Sequence, residues 1–92
     1  MKYALHLSSR FKKSYKRISR NSKFNIEEYK KVVSELMLGN ELNPKYKNHK
    51  LKGEYVGCME CHLQNDILLV YYYIEKELVL YAVDIGSHSE LF

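Results

Sequence analysis

The sequence predicts an α+β domain with the element order βααβββ, in which a helical hairpin packs on a mostly antiparallel four-stranded sheet. Apolar residues recur at helical spacing in the first half of the chain and at strand spacing in the second half. The chain has 92 residues, which is the length of one domain. Its composition, 46% hydrophobic and 28% charged, is that of a globular protein and excludes intrinsic disorder.

The first half of the chain begins with a strand and a helix. Side chains alternate in polarity over Lys2–Leu7, which predicts a short strand. Ser8 or Ser9 is expected to cap a first helix, and Asn21–Ser22 to end it. The apolar residues of this helix recur at helical spacing: Phe11, Tyr15 and Ile18.

A second helix is predicted between two capping residues. Asn25 is a suitable N-cap, Gly39 is a suitable residue after the last turn, and acidic side chains in the first turn complement the helix dipole. The apolar stripe of this helix comprises Ile26, Tyr29, Val32, Val33, Leu36 and Met37. Because the two helices are joined briefly, we expect an antiparallel hairpin that lays both stripes on one sheet face.

Three strands are predicted in the second half, after a polar, lysine-rich loop over Asn40–Gly53. Their expected ranges are Glu54–Leu63, Asp66–Ile74 and Glu77–Ile85. Tight turns at residues 64–65 and 75–76 join them as hairpins. Gly86 ends the last strand, and Ser87–Phe92 is expected to be a tail.

Positive charge is concentrated in two segments, and the formal net charge is +4 at pH 7. The first segment contains no acidic residue and consists of Arg10, Lys12, Lys13, Lys16, Arg17, Arg20 and Lys23. The second segment consists of Lys45, Lys47, Lys50 and Lys52. Such charge attracts nucleic acid first and an acidic protein second, although a solvated helix face explains the first segment equally well.

Two further observations limit where the protein acts. The sequence shows no signal peptide and no apolar run of membrane-spanning length, so we expect a cytoplasmic protein without membrane contact. Cys58 and Cys61 form no disulfide framework, and within a strand their spacing of three places the sulfur atoms on opposite faces. No second cysteine pair completes a zinc site, so we expect apolar packing and no metal or other cofactor.

Residues that suit proton transfer lie around the predicted strands. Glu60 and His62 are two apart on a strand and therefore point to one face. Asp66 starts the adjacent strand, while His49 lies in the basic loop and His88 follows the last strand. We expect these groups to converge at one edge of the sheet if the strands pair in sequence order.

Such a site suits RNA cleavage in which the ribose 2′-OH attacks the adjacent phosphate. The reaction needs a base, an acid and cations, which imidazoles and basic side chains supply without a metal. The predicted RNA-binding cations are Lys13, Arg17, Lys47, Lys50 and Lys52. The alternatives are ordinary surface groups, or a partner in an unrelated complex whose basic face is held by an acidic chain.

Three motifs resemble those of one known family. Tyr46–Gly53 (YKNHKLKG) resembles the stretch YKDHPLxG, and Glu60–Tyr71 (ECHLQNDILLVY) resembles the strand pair (E/D)xHLxxDxLLVY. Gly86–Phe92 (GSHSELF) matches the terminus of the same proteins. With all three motifs in order, the chain resembles the RelE/YafQ-like toxins of type II toxin–antitoxin systems.

The resemblance implies a RelE-like fold, metal-independent cleavage of messenger RNA on the ribosome, and a cognate acidic antitoxin. The matched family positions are His49, Glu60, His62, Asp66, His88 and Phe92. It implies that His88 is the general acid and that Asp66, with one of the other histidines, supplies or orients the base. Phe92 would stack on a base, and the alternative for this ring is burial against the sheet.

One position departs from the family pattern. The last strand of these toxins usually carries an arginine two residues before the glycine of the final motif, and here the residue is Asp84. An arginine would neutralise the phosphate in the transition state, whereas an aspartate would repel it. We expect a weakened toxin in which Lys50 or Lys52 takes over, and the alternative is a degenerate toxin that binds the ribosome or its antitoxin without cutting.

Overall fold

The sheet is mostly antiparallel and has five strands. The computed structural model describes residues 1–92. The strands are β1 (Ala4–Leu7), β2 (His49–Lys50), β3 (Met59–Gln64), β4 (Ile67–Ile74) and β5 (Val79–Gly86). Their order across the sheet is β1-β5-β4-β3-β2, with β2 to β5 antiparallel in sequence order and β1 parallel to β5. The predicted α+β class is confirmed, but the predicted strand count of four is wrong.

The additional strand lies inside the segment that was predicted to be a loop. β2 has only two residues, which pair with β3. The prediction that the following strand starts at Glu54 is also wrong, because the chain turns twice before β3 begins at Met59. Gly53 and Gly57 make these turns with φ values of 69° and 94°, which glycine adopts without steric cost.

Both predicted helices form at the predicted caps. Helix α1 spans Ser9–Ile18, and Ser8 caps it by accepting a hydrogen bond from the N–H of Phe11 at 2.8 Å. Helix α2 spans Ile26–Leu38 and is capped by Asn25 in the same way. None of the helices in this chain combines the length and the apolar character needed to cross a bilayer.

One face of the sheet carries the main hydrophobic core, against which α1 and α2 bury their apolar stripes. Ring contacts join the two helices, with centroid distances of 5.0 Å between Tyr15 and Tyr29 and 6.2 Å between Phe11 and Tyr29. The buried strand residues on this face are Cys61, Leu63, Leu69, Tyr71, Leu80, Ala82 and Ile85. Burial of these side chains is the main source of stability, at roughly 25 cal/mol for each Å² removed from water.

Helix α1 lies beside the part of β5 that β1 does not reach. β1 pairs with β5 only as far as Ala82. Ser8 then donates from its N–H to the carbonyl of Ala82 at 3.0 Å and from its hydroxyl to the carbonyl of Val83 at 2.6 Å. The chain enters α1 at this point, so the helix runs along the C-terminal half of β5.

The C-terminal segment, which was predicted to be a tail, forms a short helix, α3 (His88–Leu91). Ser87 and Glu90 make a capping box, in which the N–H of Ser87 donates to Oε1 of Glu90 at 2.9 Å. Leu91 is buried against β4 on the sheet face opposite the main core. The tail is therefore docked, and it covers part of that face.

The two cysteines lie on opposite faces of the sheet, as predicted. Cys61 belongs to the main core, and Cys58 packs beneath α3 on the other side. Both are free thiols, and burial raises the pKa of Cys61 to about 12.

Candidate active site

Four residues on the face opposite the main core lie in one row across four strands. His49 pairs with Glu60 on the neighbouring strand. Glu60 in turn pairs with Val70, which pairs with Asp84. Paired residues point to the same face, and neighbouring strands are about 4.8 Å apart. We call this surface the site face, and its members are His49, Glu60, His62, Leu68, Val70 and Asp84.

Three side chains form a contact cluster at the β2 end of this row, and we call His49, Glu60 and His62 the histidine cluster. Nε2 of His49 lies 3.3 Å from Oε1 of Glu60, and Nε2 of His62 lies 3.8 Å from the same oxygen. The side chain of Glu60 is only 6% exposed, whereas those of His49 and His62 are 49% and 38% exposed. A buried carboxylate therefore holds two accessible imidazoles side by side.

Contacts with the backbone and with Glu60 hold the ring of His49 in place. Nδ1 of His49 is 2.7 Å from the carbonyl oxygen of Lys47, and because a carbonyl only accepts, Nδ1 carries a proton. Nε2 of His49 faces Oε1 of Glu60 across 3.3 Å, so the carboxylate orients this ring. Oε2 of Glu60 is buried without a hydrogen-bond partner, so the two imidazoles are the polar groups in contact with this carboxylate.

His88 begins α3 and Phe92 directly follows it, and the two form a second group of candidate residues. The ring centroids of His88 and Phe92 are 5.2 Å apart, and the ring of Tyr55 meets Phe92 edge-on at 5.4 Å. The hydroxyl of Tyr55 also donates to the carbonyl of Leu91 at 3.4 Å. Phe92 is 50% exposed, so its ring is open to a ligand and not enclosed against the sheet.

Asp66 lies in the turn between β3 and β4, away from the histidine cluster. Its φ of 59° is a left-handed conformation, which the short polar side chain of aspartate tolerates. It lines a cavity of about 590 Å³ together with Ser87 and Ser89, the two neighbours of His88. No hydrogen bond, ion pair or ring contact joins Asp66 or His88 to the histidine cluster. The structure thus places three of the five predicted groups in the cluster, while His88 lies on α3 and Asp66 lies in the turn between β3 and β4.

Asp84 is paired with Arg10, which was not among the predicted site residues. Nε of Arg10 lies 3.1 Å from Oδ2 of Asp84, and the N–H of Ile85 donates to Oδ1 at 2.8 Å. The carboxylate that was expected to repel phosphate is therefore matched by a guanidinium. The sequence held a signal for this, because Arg10, Lys13 and Arg17 share one helix face and a buried aspartate requires a partner.

The other predicted cations lie on both sides of the site face. Lys47, Lys50 and Lys52 are exposed around His49 at the β2 edge. Arg17 lies at the opposite side, where Nη2 is 3.0 Å from Oε2 of Glu90 and ties α1 to α3. Hydrogen bonds from the backbone and then the side chain of Ser87, helped by the charge of Arg17, lower the pKa of Glu90.

The histidine cluster also has the donor set of a transition-metal site. One ligand atom from each of its three residues lies within 4.8 Å of the others. Two imidazoles and a carboxylate suit zinc or copper, and the unpartnered Oε2 of Glu60 supplies an additional donor. The residues therefore fit a divalent metal ion, although the sequence was expected to provide no metal site. Glu60 and His62 are two apart in the sequence, but only the strand register brings His49 beside them.

Comparisons with known proteins agree over nearly the whole chain. The model of a family described as "Bacterial toxin of type II toxin-antitoxin system, YafQ" matches residues 3–92. The YafQ toxin homologue of Haemophilus influenzae is 42% identical over 50 residues, which cover 50% of this chain and 49% of that protein. The match thus spans about half the length of that curated relative.

Solved structures resemble this chain over their full length. A metal-bound toxin from Helicobacter pylori is 42% identical, with a TM-score of 0.90 over 98% of this chain and 99% of that one. The Escherichia coli DinJ–YafQ complex contains a chain that is 24% identical, with a TM-score of 0.85 over 98% of both chains, which shows a shared fold. By its family match and its identity to the Helicobacter pylori toxin, this chain belongs to the YafQ family of bacterial type II toxin–antitoxin toxins.

Proposed function

We propose that this chain cleaves messenger RNA on the ribosome, in the cytoplasm, and that a cognate antitoxin neutralises it. The observation that carries the proposal is the histidine cluster, in which a buried carboxylate orients two accessible imidazoles. Imidazoles exchange protons near neutral pH, and a fixed carboxylate partner sets their orientation. The exposed side chain of His88, beside the ring of Phe92, supplies a further group for proton transfer.

In the proposed reaction, the histidine cluster takes the proton of a ribose 2′-OH. The O2′ atom attacks the adjacent phosphorus, the bond from phosphorus to O5′ breaks, and His88 donates a proton to O5′. The products are a 2′,3′-cyclic phosphate and a 5′-OH. Phe92 stacks on a base next to the cut, while Asp66 lies near the segment that holds His88 and orients it or the substrate.

The proposed partners follow from charge. Lys47, Lys50 and Lys52 are exposed within three residues of His49 and attract the RNA backbone, with ribosomal RNA as an additional target. The same positive surface favours an acidic antitoxin, and the Escherichia coli relative was solved in a DinJ–YafQ complex. An antitoxin that covers the site face would block the substrate and stabilise the toxin by mass action.

The test is induced expression of the wild type, His88→Ala and His62→Ala, with primer extension on a reporter message. His6→Ala is a matched control, since His6 is an exposed histidine on β1. We expect growth arrest and cleavage within the reading frame from the wild type and the control, and neither from the other two variants. A wild type that leaves growth and message intact would contradict the proposal and favour a degenerate toxin that only binds.

A second proposed function is the binding of a divalent transition metal by His49, Glu60 and His62. It is favoured by the clustered donors and by the metal-bound Helicobacter pylori relative. A bound ion would polarise a ligand as a Lewis acid, but it would also take the imidazole nitrogens that the proton transfer needs. We therefore expect zinc or copper to inhibit cleavage, and a chelator to restore it.

Calorimetric titration with zinc tests this second function. The wild type should bind one ion per chain, and His62→Ala should bind at least about ten-fold more weakly. His88→Ala is the control, because it removes a histidine outside the cluster. Equal binding by the wild type and His62→Ala would show that the cluster is not the metal site.

A further inference from the structure

We propose that Arg10 binds a phosphate of the RNA substrate and that Asp84 is the residue that positions it. The inference rests on the proposed ribonuclease function and adds to it a cation that neither the sequence motifs nor the family match assigned. In this proposal Asp84 orients Arg10, although the negative charge of Asp84 alone would oppose RNA binding.

The first observation is the asymmetry of the ion pair between these residues. The side chain of Asp84 is 4% exposed, whereas that of Arg10 is 62% exposed. The contact uses Nε of Arg10, and a guanidinium has five N–H donors. The terminal amino groups of Arg10 therefore remain available in a side chain whose orientation is fixed by a buried anchor.

The second observation is the groove in which Arg10 lies. A depression of about 290 Å³ runs between α1 and α3, and its charged lining residues are Arg10, Lys13, Arg17, Asp84 and Glu90. The three basic residues stand on one helix face, three and four positions apart. We call this depression the α1 groove. Its two carboxylates pair with Arg10 and Arg17, which leaves an excess of one positive charge for a phosphate group.

The third observation is the position of the α1 groove relative to the histidine cluster. Asp84 and Glu60 lie in the same row of the sheet, separated only by β4. Two strand spacings, about 10 Å, thus separate their backbones. Leu91 of α3 packs above the intervening β4 residues. An RNA strand that crosses α3 would meet the histidine cluster on one side and Arg10 on the other.

Arginine suits this role because its planar fork can bind a carboxylate and a phosphate at the same time. Lys13, which also lines the groove, has no acidic partner and supplies a mobile point charge. Asp84 therefore holds Arg10 in one orientation, and removing its charge should harm the reaction rate more than RNA affinity.

The experiment measures RNA binding and ribosomal cleavage for four variants at Arg10 and Asp84 and for one control, all below their melting temperatures. Arg10→Gln leaves the buried carboxylate of Asp84 unpaired and can therefore destabilise the fold. The double variant Arg10→Gln/Asp84→Asn removes both charges and is used if Arg10→Gln folds poorly. Arg20→Gln is the control, because Arg20 is an exposed arginine that follows α1 and makes no ion pair. The binding probe is an RNA oligonucleotide with a 2′-deoxyribose at the cleaved position.

We expect the double variant to lower the cleavage rate by about 10²-fold, as for the loss of one fixed donor at a transition state. The slope of log affinity against log salt concentration should be smaller in magnitude than that of the control by about 0.7. This is the value for one lost phosphate contact on a single strand. Asp84→Asn should reduce the rate with a smaller change in affinity. Arg10→Lys should restore affinity more than rate.

Binding and cleavage by the double variant that equal those of Arg20→Gln would overturn the inference, as would a wild type that does not bind the probe. A wild type that binds the probe but never cuts message contradicts the proposed ribonuclease instead. In that case the salt dependence of binding still decides whether Arg10 contacts phosphate.

Discussion

Oε1 of Glu60 lies 3.3 Å from Nε2 of His49, while Oε2 of the same carboxylate is buried without a hydrogen-bond partner. A buried carboxylate with one unpartnered oxygen is costly to the fold, because water is lost and only part of its hydrogen bonding is replaced. His49 and His62 are the side chains in contact with this carboxylate. Glu60 is thus placed to orient both imidazoles.

Glu60→Gln tests this relationship. The amide keeps the shape of the side chain but cannot balance an imidazolium, so cleavage should fall by about 10²- to 10⁴-fold. The free energy of unfolding should change by less than about 1 kcal/mol, because the variant removes a buried charge and not only a contact. Cleavage assays and urea denaturation measure the two effects.

Glu54→Gln provides the control for this variant, since Glu54 is exposed and lies outside the cluster. It should match the wild type in both assays. Full activity of Glu60→Gln would show that the carboxylate has no part in proton transfer.

Phe11 anchors α1 in the main core, where it is fully buried. Phe11→Ala should lower the free energy of unfolding by about 3–5 kcal/mol, because it loses the buried ring and leaves a cavity. Lys12→Ala, at the exposed neighbouring position, should change it by less than about 0.5 kcal/mol. Urea denaturation measures both, and a similar effect of the two substitutions would contradict the packing described here.

Docking of α3 should depend on pH through Glu90. The pKa of Glu90 is lowered from 4.5 because the N–H and hydroxyl of Ser87 and the charge of Arg17 favour the carboxylate. A lowered folded-state pKa stabilises the docked helix above pH 4.5, and this contribution is lost as the pH falls through the lower folded value. α3 should therefore loosen in acid.

NMR signals of the Tyr55 and Phe92 rings report this loosening, because their edge-on contact shifts the ring protons. In Glu90→Gln the same signals should show no such titration, and α3 should be looser at neutral pH. If the ring signals of the variant and the wild type change with pH in the same way, a group other than Glu90 causes the loosening of α3.

The two thiols should differ in reactivity. Cys61 is fully buried and its pKa is about 12, so a thiol reagent should modify it only when the protein unfolds. Cys58 is half-buried, and burial also raises its pKa. We expect slow labelling of Cys58 alone at neutral pH, as measured by mass spectrometry. Rapid labelling of Cys61 in the folded protein would contradict its placement in the core.

The sequence was most informative where local chemistry decides structure. The caps Ser8, Asn25 and Gly39 were found where expected, because each satisfies a helix end from within a few residues. Glu60 and His62 lie on one face of β3 as expected, because they are two positions apart and side chains alternate along a strand. The sequence also held the capping box of Ser87 and Glu90, which would have identified α3.

Features that depend on distant parts of the chain could not be predicted in this way. β2 is too short to carry a pattern, and its existence depends on pairing with β3. The contact of His49 with Glu60 follows from that pairing, and the contact of Arg10 with Asp84 follows from the path of α1 beside β5. Asp66 was expected near His62 across the hairpin, but the turn directs it toward the cavity beside α3.

The parallel pairing of β1 with β5 has a consequence for how the toxin is made. Ala4 pairs with Val79, and β5 lies between β1 and β4, so the first strand has no neighbour until the last one is synthesised. Contacts between the two ends of a chain form late and slow the folding reaction. A nascent chain would therefore complete this sheet only after β5 has been synthesised.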